Sequence, residues 1–186
     1  QTVSTSGSTE HIVRAMGSFS SLVGSQFGDT LTAASNSTVS GGAGNDQLKI
    51  ADGVSGASLR GGADDDILNI DAGALVSNIN FAGDEGIDSL TNLGSITGLA
   101  FNGGADDDQL LNVGSILGTL NFGGDDGVDA LFNTGSIANL TFNGGADDDI
   151  FVNNGSAETT LSFNGDDDVL LSGTGSIGTL NFGGDD

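Results

Sequence analysis

Self-similarity at a pitch of about twenty residues limits this chain more than any other feature, because so small a unit cannot enclose a core alone. Gly-Ser recurs at Gly94-Ser95, Gly114-Ser115, Gly135-Ser136, Gly155-Ser156 and Gly175-Ser176, in steps of 20, 21, 20 and 20. Phenylalanine keeps the same beat at Phe81, Phe101, Phe122, Phe142, Phe163 and Phe182. An acidic glycine turn opens each unit: Gly41 to Asp46, Gly61 to Asp66, Gly83 to Asp88, Gly103 to Asp108, Gly124 to Asp129, Gly144 to Asp149 and Gly165 to Asp168. A weaker first copy starts at Phe27-Gly28-Asp29-Thr30-Leu31.

Two residues beyond each turn's last Asp come Leu48, Leu68, Leu90, Leu110, Leu131, Phe151 and Leu170. Two further on come Ile50, Ile70, Asn92, Asn112, Asn133, Asn153 and Ser172. Spacing of two places these side chains on one face of an extended segment. The second segment of each unit alternates likewise, as in Leu99-Ala100-Phe101. Both segments are short and bounded by Gly and Asp, which reads as strand. Stacked in register, the units bury these faces as ladders of Leu, Phe and Asn, with coils about 4.8 Å apart. The fold class expected is all-β, a parallel β-solenoid with coils of about twenty residues over 27–186. The asparagines are expected to form an inward amide ladder or to cap the corner before Gly-Ser, and the phenylalanines to be core. Residues 1–26 read as an N-terminal cap or interaction segment, with Ile12, Val13, Met16, Phe19, Leu22 and Val23 on one helical face.

Composition narrows the partners. Twenty-six acidic residues face three basic ones, for a net charge of −23, which repels nucleic acid and anionic membrane surfaces and invites cations. Only Glu10, Glu85 and Glu158 are glutamate, so the acids are turn formers, in keeping with 33 glycines. No apolar run reaches the length of a membrane span. Without cysteine there is neither a disulfide framework nor a thiolate metal site. The chain begins at Gln1 rather than Met, as one whose leader has been removed would.

Gly41-Gly42-Ala43-Gly44-Asn45-Asp46-Gln47-Leu48-Lys49 matches the nine-residue pattern G-G-x-G-x-D-x-U-x at every specified position. It resembles the calcium-binding repeats of the repeats-in-toxin (RTX) family. That resemblance implies a parallel β-roll in which turn carbonyls and the sixth-position carboxylate bind calcium. Asp46, Asp66, Asp88, Asp108, Asp129, Asp149 and Asp168 hold the sixth position; Asp64, Asp84, Asp106, Asp126, Asp147 and Asp166 are the other candidate ligands. Two departures limit the likeness. Asp64, Asp106 and Asp147 replace the fourth-position glycine, and one acidic turn occurs per twenty residues instead of two per eighteen. Calcium on one edge of a larger solenoid is therefore the expectation.

Electrostatics points the same way. Equivalent carboxylates on stacked coils would lie about 5 Å apart and repel by roughly 1 kcal/mol in water, more near a protein surface. Calcium, which prefers hard oxygens, would relieve this. The bland alternative is a solvated acidic edge. Gly-Gly-Ala-Asp-Asp-Asp turns alternate with a Gly-Asp-acidic-Gly-aliphatic-Asp type, so the true unit spans two coils. The function expected is an extracellular or cell-surface structural repeat of the bacterial type, in an adhesin, surface layer or filament, binding several calcium ions and stacking on itself along its axis. A polysaccharide-acting β-helix enzyme is the first alternative, against which stand near-identical coils and one histidine, His11, without a nucleophile partner. An ice- or glycan-binding face is the second, and Thr97, Thr119 and Thr141 do not share one repeat position.

Overall fold

A computed structural model describes residues 2–4, 11–14, 21–165, 169–172 and 176–183. It is a parallel β-solenoid of about seven turns of roughly 20 residues, with no helix among the described residues. Each regular coil contributes a short strand and a long one, such as Gln109–Asn112 and Ser115–Asp125. The short strands stack into one sheet and the long strands into another, every pairing parallel. Alternate side chains of both point inward, so Leu90, Leu110, Leu131 and Phe151 share one column and are buried.

Phe81, Phe101 and Phe122 form a second column, with ring centroids 5.2 and 4.9 Å apart and planes within 8° and 3° of parallel. Phe142 continues it at 5.0 Å, tilted by 35°. Offset stacking at this distance adds to area burial about 0.5–1.5 kcal/mol per pair. Steps of 20 and 21 coexist because the longer coil takes its extra residue as a bulge. The register shifts between Ile96 and Gly98, so that Ile96 faces Ile116 while Leu99 faces Leu120. The core columns stay aligned while the bulge bears the irregularity on the outer face.

Asn92, Asn112, Asn133 and Asn153 do both of the things expected of them. Each Nδ2 donates to the Oδ1 of the next, at 2.8 Å in all three bonds. The first, with Ile70 before it in the column, has no preceding amide to pair with, and its Oδ1 accepts the Gly94 N–H at 3.0 Å.

The N-terminal segment differs from the helical reading. Ile12–Arg14 and Ser21–Val23 are strands, paired with Thr30–Ala33 and Thr38–Ala43, and Leu22 is buried. β-Branched residues and an available sheet edge outweigh a helical periodicity that Gly17 and the serines already weaken. Met16 and Phe19 lie outside the described residues.

Asn112→Ile makes the interior more apolar and copies the residue at Ile70, yet it is expected to destabilise by about 1–3 kcal/mol. It strands the Nδ2 of Asn92 and the Oδ1 of Asn133 in a dry core. Urea unfolding measures this, and a variant as stable as the parent would show that the ladder contributes nothing.

Candidate functional site

The acidic turn folds because two of its residues adopt positive φ. In the coil from Gly61 these are Gly62 (φ 131) and Asp64 (φ 74); in the coil from Gly83 they are Asp84 (φ 85) and Gly86 (φ 113). Aspartate is among the few side chains that tolerate this region, because its short carboxylate bonds locally. Asp64, Asp106 and Asp147 thus keep the left-handed backbone that Gly44 holds at the pattern's fourth position (φ 85).

Glycine and aspartate exchange places from coil to coil. Gly62, Asp84, Gly104, Asp125 and Gly145 form one column in register. In the next left-handed column, Asp64, Gly86, Asp106, Gly127 and Asp147 follow in turn. The residues between alternate too, as Ala63, Glu85 and Ala105. Outward carboxylates therefore do not stack over one another on successive coils, contrary to the expectation from the sequence. Same-column acids are two coils apart, about 9.6 Å, roughly the screening length of physiological salt.

Several outward acids also have structural partners. Asp64 Oδ2 accepts the Gly44 N–H at 3.0 Å, Asp84 pairs with Arg60 at 3.3 Å, and Asp125 Oδ2 accepts from Asn102 Nδ2 at 3.1 Å. Asp126 and Asp147 are exposed, as is Asp106. Asp65 and Asp107, which the RTX pattern does not single out, accept the Ile87 and Val128 N–H groups at 3.1 and 2.9 Å. Their signal in the sequence is the alternation of Asp with Ile or Val just before the sixth position.

The sixth-position acids are the one continuous column, and they lie inside. Asp46, Asp66, Asp88, Asp108, Asp129 and Asp149 are at most 2% exposed. Each backbone N–H donates to the Oδ1 of the next, at 2.7–2.8 Å from Asp46 through Asp149. Asp29 begins the series, its N–H on Asp46 Oδ1 at 2.6 Å. The other oxygen, Oδ2, of Asp46, Asp66, Asp88, Asp108 and Asp129 is buried without a hydrogen-bond donor. It packs where a side chain on the turn's first glycine would stand. A Cβ at Gly41 would collide with Asp46 Oδ2 and approach the Gly61 carbonyl oxygen of the next coil to 2.7 Å. Both oxygens thus border the space that such a side chain would fill.

Burial drives these carboxyls upward, against the backbone hydrogen bond that lowers each. Asp66 and Asp108 are pushed up to about 8, Asp88 and Asp129 to about 7, and Asp46 to about 6, with neighbouring acids adding to the rise. Asp29 differs. Burial raises it, but donors from Ser25 N at 2.6 Å and His11 N at 2.7 Å outweigh that, and it sits below the ordinary carboxylate value. His11, with Nδ1 at 3.3 Å from Asp29 Oδ1, covers this end of the column.

Among the described residues, no three His, Asp or Glu side chains converge as a set of metal ligands. Asp166 and Asp168 lie outside the described residues. The chain matches no family model, and neither a curated protein nor a solved structure matches it.

The raised carboxyls fix the sign of a pH response. With their folded values above the unfolded 3.8, the folded column holds more protons than the unfolded chain. Its contribution is complete below about pH 4 and is lost as pH rises through 6 to 8. In chelator, the melting temperature is expected to fall across that window. Asp108→Asn, neutral at every pH and still an acceptor at Oδ1, is expected to melt above the parent at pH 9 and level with it at pH 4. Circular-dichroism melts check both; parallel curves for parent and variant would mean Asp108 carries no proton.

Proposed function

We propose that this chain is a structural repeat of an extracellular or cell-surface protein, a stiff segment of an adhesin, surface layer or filament, rather than an enzyme. The observation that carries this reading is the sameness of the coils. Among the described residues, the Phe, Asn and buried Asp columns run through consecutive turns with no long loop or inserted residue cluster to break them. Catalytic sites on solenoids depend on such interruptions, since an acid, a base and a substrate cleft require unlike groups at one place. A threonine face for ice or glycan finds little support, because Thr119 stands beside Gly98 and Asn139, and Thr141 beside Asn121. Self-association along the axis belongs to the same reading: the surface one coil offers the next is what one copy would offer another.

If the coils are interchangeable scaffold, removing a two-coil unit should shorten the rod and leave it folded. Deletion of residues 84–124 joins Gly83 to Asp125, which occupies the column of Asp84. The product is expected to melt cooperatively and to be about 10 Å shorter by small-angle scattering. A deletion that unfolds the chain would mean the coils are individually specialised.

Calcium binding is a second reading, and the donorless Oδ2 column favours it. Those oxygens and the first-glycine carbonyls are hard acceptors of the kind calcium takes. Asp46, Asp66, Asp88, Asp108 and Asp129 would be the residues to hold it, and the ion would supply the positive charge that protons supply in its absence. Binding should therefore raise the melting temperature at pH 8 far more than at pH 5, and should release protons. Melts with calcium and with chelator, with proton release followed in weak buffer, test this. Curves that coincide at pH 8 would leave the column to protons alone.

A further inference from the structure

Beside the buried column runs an open groove of about 540 Å³ that crosses five coils, from Asn45 to Val128. One wall is the row of residues just before each sixth-position Asp, namely Asp65, Ile87, Asp107 and Val128, and Asp148 continues that row beyond the groove. Carboxylate and aliphatic side chains alternate rung by rung. Ile87 is 54% exposed and Val128 40%, so both present apolar surface to the groove. Asp65 and Asp107 are held in place, each by the N–H of the apolar residue that follows it in the row.

We propose that this groove docks a basic, proline-rich segment of a partner protein, lying along the solenoid axis in the polyproline II conformation. Charge selects the sign of the partner. The groove is acidic on a chain of net charge −23, so a second copy of the chain would be repelled. Spacing selects the conformation. Acids two coils apart recur at about 9.6 Å. A polyproline II chain advances about 3.1 Å per residue with three residues per turn, so every third side chain returns to one face after about 9.3 Å. A lysine or arginine at every third position meets Asp65, Asp107 and Asp148 in step, while intervening prolines cover Ile87 and Val128. A β-strand returns to one face after about 6.6 Å and falls out of step within two coils. Such a ligand also loses little entropy on binding, being extended beforehand.

Titration calorimetry at physiological salt tests this with two peptides of equal composition. One has proline-proline-lysine repeats; the other has the same residues with lysines at alternating shorter and longer intervals. The regular peptide is expected to bind about tenfold tighter. Ile87→Asn with Val128→Asn places at both rungs the residue found at Asn45 in the same row, and should weaken binding of the regular peptide with the melting temperature unchanged. Should the double variant not fold, methyl NMR of the parent serves instead, with shifts expected at Ile87 and Val128. Equal affinity for the two peptides would show bare charge attraction and overturn the proposal, as would methyl shifts confined elsewhere. A parent dimer that dissociates in the double variant would overturn it too, assigning the groove to a second copy.

Discussion

Parallel stacking in register leaves no residue free to choose its neighbour: whatever stands at one position of a coil stands over its equivalent in the next. Each backbone N–H and carbonyl of a strand is bonded to the coils on either side, and a one-residue slip would turn every inward side chain outward. All other features of the molecule are answers to that constraint. Phenylalanine gains from meeting itself, because rings about 5 Å apart stack. Asparagine gains as well, having a donor and an acceptor in one side chain, so within the column each amide meets the next and the two ends turn to the backbone, at Gly94 and Ser176. Ionised aspartate has acceptors only. For it, meeting its own kind is costly.

Two solutions to the aspartate problem coexist a few residues apart. On the outside, the acids of one coil stand where the next coil has Gly, Ala, Ile or Val, and this exchange works because Gly and Asp both tolerate positive φ. Inside, substitution by coils is not available, since the turn requires the same carboxylate to accept a backbone N–H in every repeat. There the charge itself is suppressed by burial, which raises the carboxyls toward neutrality. Separation serves the wet face and neutralisation the dry one.

Much of this was legible in the residues. The recurrence of Gly-Ser and Phe fixed the coil length, the spacing of two fixed the inward faces, and Asn at matched positions pointed to the amide ladder. The two-coil alternation was visible too, but its meaning depends on which residues stack, and a string of letters does not show that Asp84 lies over Gly62. The sixth-position Asp was equally conspicuous, and its inward direction was not. Aspartate in a glycine turn is ordinarily solvated, and only the absence of a side chain at Gly41 or Gly61 opens the space into which Oδ2 folds. The first strands were misread because Ile12, Val13, Leu22 and Val23 satisfy a helical stripe as well as two short strands, and a neighbouring edge decided between them.

Both polar ladders point one way. In each, the earlier coil donates and the later coil accepts: the Asp46 N–H to Asp66, the Asn92 amide to Asn112. The solenoid is therefore a vectorial object, like a row of magnets laid pole to pole. Parting the buried Asp ladder between two coils leaves its donor on one cut face and its acceptor on the other, while the strands leave donors and acceptors on both. Two identical faces brought together would set ladder donor against ladder donor or ladder acceptor against ladder acceptor, so the ladders continue only across unlike faces. The direction of synthesis matches this polarity, since every coil, once laid down, offers hydrogens to the carboxyl and amide oxygens of the one that emerges after it.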